Sequence, residues 1–407
     1  MSGTNNKKAL PLVFLGLFCW YLWSTVRLHS ALPVTTLPTP DHASLADKSS
    51  SILSSGEIDE TEFAACLLVM DDNHFLIEWL AYHYHVLPLR HLIIAVDPRS
   101  QTTPKPILDR WKKLEGGNAP MNVELWSDPD FMTFDEKQQA EDHVAKQFKI
   151  HQQPNLVVHR ARQRLFYYKC MKRFKEQKRH WVALIDSDEF LHINYPTTAS
   201  HNITSVPPIT KAGSVASLVR QLRKQRPYDN RTSTPCIQIP RQRYGTMESP
   251  LSDIQKGVPT YTTESHSLLV NASALQTLRW RHHASPDNYQ INRISKTIID
   301  VSRVEWDDLQ PVVSIHRPIR SLCGQRRLHI RSPDQFFLIN HYLGTWEQYS
   351  YRQDSRTGKE RSREMFAQAQ KLDEGCDDEV RPWLQGFVQE VGINEAKRLL
   401  EGVGILA

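Results

Sequence analysis

From Phe63 onward, short apolar runs alternate with amphipathic stretches. FAACLLVM (63–70) is apolar throughout, the pattern of a strand buried on both faces. HFLIEWLAYHYHV (74–86) repeats Phe75, Trp79, Leu80 and His83 at helical spacing. HLIIAVD (91–97) reads as a second buried strand. Pro104 and Pro106 open a helix through Ile107, Leu108 and Trp111, and MNVELW (121–126) reads as a third strand. Strand, helix, strand, helix, strand predicts an α/β fold with a mostly parallel central sheet flanked by helices. A long helix is predicted near 157–178, with Phe166, Cys170 and Phe174 on one stripe and Lys172, Arg173, Lys175, Lys178 and Arg179 on a solvated face. HWVALID (180–186) is the fourth strand. A helix over 214–225, with Ser214 as its N-cap, leads into β-rich, turn-rich sequence to about 318. The tail from Asp377 predicts one or two helices.

The first sixty residues differ. Leu10 to Val26 is uncharged and apolar, with Lys7 and Lys8 before it and Arg27 after. A run of about 17 residues is at the short end for a spanning helix, and Trp20, Tyr21 and Trp23 suit an interface. No small-x-small cleavage site follows, so an uncleaved anchor is favoured over a signal peptide. The expected layout is a cytoplasmic tail (1–9), a transmembrane anchor (10–27), a Ser/Thr/Pro/Asp-rich stem (28–61), a catalytic domain (62–370) and a C-terminal helical extension (371–407). Sequons at Asn202, Asn230 and Asn271 agree with a luminal body. Five cysteines would lie there (Cys66, Cys170, Cys236, Cys323, Cys376). Five is odd, which leaves at most two internal bridges and one thiol free or paired between chains.

Composition narrows the class. The 407 residues are 40% apolar and 23% charged, which excludes a disordered, collagen-like or multi-span membrane chain. A net charge of +5 does not call for nucleic acid and suits a site holding polyphosphate. No CxxC or Cys/His ladder suggests structural zinc.

The sharpest motif is WVALIDSDEFL (181–191), where a buried strand delivers Asp186, Ser187, Asp188 and Glu189 at its C-terminal end. Open α/β sheets bind ligands there. If the segment is extended, Asp186 and Asp188 share a face and converge on one hard cation, Mn²⁺ or Mg²⁺, bridging to a diphosphate. Three acidic groups without counter-charge would otherwise be costly. An acidic surface turn is the plain alternative.

WVALIDSDEFL, preceded by ARQRLFYYKCMKRFKEQKRH (161–180), resembles the core of glycosyltransferase family 92 and its GT-A relatives. CLLVMDDNHFLIEWLAYHY (66–84) is similar to that family's opening strand, acidic turn and helix. HLIIAVDPRS (91–100) is similar to its second strand, and NHYLGTWEQY (340–349) to its closing His-Tyr segment. The resemblance spans about 63–352. It departs at Asp71-Asp72-Asn73, where Lys-Asn-Glu is frequent, and at Asp97-Pro98, where Asp-Asn is commoner. It implies a type II Golgi enzyme with a Rossmann-like GT-A domain. Such an enzyme moves sugar from a nucleotide-sugar donor, a UDP-sugar such as UDP-galactose, with Mn²⁺ and inversion, to a glycan acceptor on glycoprotein or glycolipid.

Residue chemistry assigns further roles. An octahedral metal needs a third protein ligand, for which His341 ranks first and His316 second; imidazole favours manganese over calcium. Asp72 and Asp97 end adjacent strands and could face base and ribose, or cap helices. Arg162 and Gln163 could reach the nucleotide from the long helix, and Arg293 and Lys296 the phosphate, although salt bridging explains the last two equally. Glu78 and His83 read as structural. Glu248 and Asp287 are the candidate bases for deprotonating the acceptor hydroxyl. Rival readings are a metal-dependent hydrolase, which lacks a second Asp/His cluster, and a tethered lectin, which has no need of a βαβαβ half.

Overall fold

A computed structural model describes residues 62–403 apart from 202, 204, 226–233, 246–247, 257–270, 311–315, 325–327, 352–353, 355 and 371–372. The apolar run Leu10–Val26, the stem, Asn202 and Asn230 lie outside the described residues. Among the described residues no helix is long and apolar enough to cross a membrane.

The described residues form one compact α/β unit with two sheets. The first has six strands: β1 (Phe63–Val69), β2 (Leu89–Val96), β3 (Asn122–Trp126), β4 (Trp181–Leu184), β6 (Cys236–Ile239) and β9 (Lys296–Asp300), in the order β3-β2-β1-β4-β9-β6. The pairs β2–β3, β1–β2 and β1–β4 are parallel, and β9 runs against both its neighbours. The second sheet, ordered β11-β8-β7-β10-β5, gathers β5 (Glu189–Ile193), β7 (Arg241–Tyr244), β8 (His282–Ala284), β10 (Phe337–Tyr342) and β11 (Asp373–Cys376).

The inner strands β1, β4 and β9 of the first sheet are buried on both faces, as the continuous apolar runs of β1 and β4 require, whereas edge strand β3 has no buried residue. Along β1, Phe63, Ala65, Leu67 and Val69 join one core with Leu76, Trp79 and Leu80 of helix α1 (Asn73–Val86). Ala64 and Cys66 point the other way, into a second core with Leu165, Phe166, Cys170 and Phe174 of the 23-residue helix Pro154–Glu176. The disulfide Cys66–Cys170 ties β1 to that helix, and Cys236–Cys323 lies in the same core. Cys376 is disulfide-bonded too, so of the two fates expected for the odd thiol, free or paired between chains, the free one does not occur among the described residues.

Three local expectations need correction. Ser214 is the first residue of its helix, and its buried hydroxyl makes no hydrogen bond. Gly213 (φ +69°) takes the capping position, accepting from Ser217 N at 2.9 Å. The helix Phe134–Phe148 was not anticipated; its mean hydropathy is low, but Thr133 and Glu136 form a capping box that starts it. The segment after 371 is more than a helical extension. β11 pairs with β8, and Trp383, Leu384 and Phe387 enter the core against α1.

Candidate active site

The parallel strands β1, β2 and β4 end at a cavity of about 620 Å³. Its lining includes Asp72, Asp97, Arg162, Gln163, Asp186, Asp188, His316 and His341, eight of the residues singled out from the sequence. Glu248, Asp287 and Arg293 do not line it. Exposed Glu248 accepts from Arg279 at 2.6 Å, exposed Asp287 pairs with Arg331 at 2.9 Å, and Arg293 donates to Gln290 at 2.5 Å. The two proposed bases are therefore surface ion-pair partners.

The acidic motif is a tight turn rather than an extended segment, so its aspartates do not share one partner. Glu189 N donates to Asp186 O at 3.1 Å, and Asp186 N donates back to Glu189 Oε2 at 2.8 Å. Asp186 then meets Lys296 Nζ at 2.5 Å, while Asp188 faces His341 Nε2 at 3.4 Å. Lys296 belongs here because β9 runs antiparallel to β4, with Thr297 opposite Leu184, which sets Lys296 beside the end of the acidic strand.

Counter-charge that was expected from a metal is partly supplied by the chain. Glu189 is fully buried, 3.1 Å from Lys296 Nζ and 2.9 Å from Arg241 Nη1. Burial pushes its carboxyl up, but Lys296, Arg241 and His341 outweigh burial and bring it down to about 2. Lys296 thus acts as a buried strut between Asp186 and Glu189. Arg162 is a strut as well, donating to Asp128 at 2.6 Å and to Val96 O at 2.9 Å. Asp97 is gripped by Arg99 through its backbone N–H and guanidinium at 2.9–3.0 Å. Although burial raises its pKa, those bonds lower it further than burial lifts it.

Asp72 precedes α1 and its Oδ2 accepts from Met70 N at 2.9 Å, without a capping bond to the helix. Its neighbour Asp71 has φ +56° and accepts from Gln101 N, Thr102 N and Thr102 Oγ1 through Oδ1, tying the loop after β2 to the turn that follows β1. Two histidines on the lining are held neutral. Burial, then Lys296 and Arg241, push His316 down to about 3; burial, Arg356 and Arg99 push His159 down to about 4. His316 Nδ1 lies 2.8 Å from Ser295 O, which can only accept, so Nδ1 carries the proton and Nε2 the lone pair.

One group of metal-compatible atoms occurs among the described residues: Asp188, Glu189 and His341, mutually within 4.8 Å. Its oxygen and nitrogen donors suit Mn²⁺. With Glu189 committed to two cations, Asp188 and His341 are the pair best placed to hold an ion, and Asp186 would join only by leaving Lys296.

Sequence reasoning missed Glu189 as a strut, His159, the Asp354–Arg356 pair and, above all, Arg241 and Arg243. A signal existed for the last two: in RQRY (241–244) two arginines alternate on one face of a short strand. Neither a protein-family model nor a curated protein matches the chain.

Proposed function

We propose that this chain is a metal-dependent glycosyltransferase with a GT-A-type, Rossmann-like domain, using a nucleotide-sugar donor with Mn²⁺ or Mg²⁺. The carrying observation is the joint lining of one cavity, at the carboxyl ends of parallel strands, by Asp186, Asp188 and His341 and by Arg241, Arg243 and Arg356. Carboxylate and imidazole ligands beside arginines suit a metal-bound diphosphate. A single metal-compatible group among the described residues gives a two-metal hydrolase no support.

Cleaving the sugar–diphosphate bond builds positive charge on the sugar and negative charge on the phosphate. A bound divalent ion supplies Lewis acidity to that leaving group. Asp188 and His341 would hold the ion; Lys296 orients Asp186 and keeps Glu189 ionised. Inversion at the anomeric carbon and a glycan acceptor rest on the family resemblance.

A type II luminal topology belongs to the same reading. Leu10–Val26 supports it, as do Cys66–Cys170 and Cys236–Cys323, since disulfides persist in oxidising compartments. Asn271, the one sequon asparagine among the described residues, is exposed. The test is a screen of a secreted form beginning near Ser50 against a nucleotide-sugar panel with Mn²⁺, scoring hydrolysis and transfer. Turnover of one donor that stops in EDTA is expected; no turnover with any donor and any glycan acceptor refutes the reading.

A further inference from the structure

Arg243 differs from three other arginines that line the cavity and from Lys296 beside it. Arg162, Arg241, Arg356 and Lys296 each meet a carboxylate within 2.9 Å. Among the described residues the Arg243 guanidinium has no such partner, and its Nε is buried without a hydrogen bond. Its backbone is held, because its N–H donates to Asn292 Oδ1 at 3.2 Å. Burial, then the neighbouring Arg241, lower its basicity more than Asp188 and Tyr349 raise it. A largely buried cation without a counter-ion is costly, and an arriving anion repays that cost.

The register of the second sheet says where that anion would lie. β10 sets His341 opposite Arg243 of β7 on one side and opposite Glu189 of β5 on the other. Directly opposed residues share a face, so Arg243, His341 and Glu189 form one row across three strands. Tyr342 N donates to the Asp188 backbone carbonyl at 2.9 Å, and the Asp188 carboxylate lies 3.4 Å from His341 Nε2 at the end of this row. Neighbouring strands are about 4.8 Å apart. The guanidinium therefore stands one strand away from the Asp188–His341 pair, within the span of a diphosphate. Arginine's planar fork suits two phosphate oxygens.

We propose that Arg243 is the residue that binds the donor's diphosphate, gripping the oxygens turned away from the Asp188–His341 pair. The assignment rests on the transferase reading for its ligand. It requires, beyond that reading, that diphosphate binding survive removal of the metal and depend on Arg243.

The experiment titrates the full chain with inorganic diphosphate and with UDP, each in Mn²⁺ and in EDTA, and follows Mn²⁺ alone by electron paramagnetic resonance. Arg243→Gln should weaken inorganic diphosphate about tenfold or more in both buffers, leave Mn²⁺ binding alone unchanged, and melt like the wild type. Arg243→Lys, which keeps the charge and loses the fork, should fall between the two; it also decides the matter if the glutamine variant does not fold. Wild-type diphosphate affinity in either variant overturns the assignment, as does weakened Mn²⁺ binding in a folded variant. Diphosphate binding through Arg243 without turnover of any nucleotide sugar would sink the transferase reading and keep the assignment. Turnover with an unchanged donor KM in Arg243→Gln would do the reverse.

Discussion

The two sheets are built in opposite ways. The parallel half of the six-stranded sheet comes from one stretch, 63–184, in which β1 and β4 are uninterrupted apolar runs, β2 is apolar after Arg90 and His91, and edge strand β3 carries Asn122 and Glu124. The five-stranded sheet collects strands of 3–6 residues scattered from Glu189 to Cys376, and several carry polar side chains: RQRY, HHA, DEGC. The first is stabilised by buried area and supplies a rigid rim. The second carries much of the chemistry, because only neighbouring short strands align Arg243, His341 and Glu189 in one row. Both regions share the apolar core, through Phe190, Leu191, Ile339 and Tyr342 in the second, but the polar chemistry gathers in the second sheet and at the acidic turn between β4 and β5.

Four measurements can break or sharpen that division. The largest effect should come from Glu189→Gln. Removing one partner of a buried ion group strands Lys296 and Arg241, at about 3–5 kcal/mol. Urea unfolding reads this directly, and a wild-type midpoint would mean that the second sheet does not depend on its buried charge. Next, Asp188→Ala should leave unfolding close to wild type yet lower transfer about 10²–10³-fold, the loss typical of one electrostatic stabiliser. Unchanged steady-state turnover at limiting Mn²⁺ would remove the acidic turn from the chemistry.

The third concerns Glu78, which links the regions. It sits on α1 over the first sheet, and its carboxyl accepts from Gln276 N, Thr277 N and Thr277 Oγ1 in the segment leading to β8. Burial raises it from 4.5 to about 7, more than its hydrogen bonds lower it. A raised carboxyl binds its proton more tightly when folded. Its contribution is complete below pH 4.5 and is lost as pH rises through 7, on the order of 3 kcal/mol. His83, pushed down to about 3 by burial, slopes the other way between pH 3 and 6.5, but it does so equally in a variant. Stability measured relative to Glu78→Gln should therefore decline from pH 5 to pH 7.5. A constant difference would show that Glu78 does not titrate in this window.

The smallest effect separates the two histidines. His341→Ala should raise the Mn²⁺ requirement at least tenfold. His316→Ala should leave it unchanged, since His316 stands outside the one metal-compatible group among the described residues. Titrating Mn²⁺ against UDP-dependent thermal shift compares them, and the opposite ranking would move the metal to the β9 side.

By itself the sequence determined the platform. Buried parallel strands need apolar runs, and helices packed on them need apolar stripes, so β1 to β4, α1 and the long helix were legible from local pattern. Eight lining residues were legible for a related reason: strand ends in such sheets open onto the ligand crevice. The tertiary structure alone decided the pairings among charges. Whether Asp186 faces Asp188 or Lys296 depends on a turn and on the antiparallel entry of β9, more than a hundred residues later in the chain. Whether Glu248 or Asp287 reaches the site depends on where connections between short strands run, and they run to the surface. Arg243 escaped because an arginine without a partner looks, in one dimension, like any other. It becomes distinct only when the sheet register has set His341 beside it and left no carboxylate opposite.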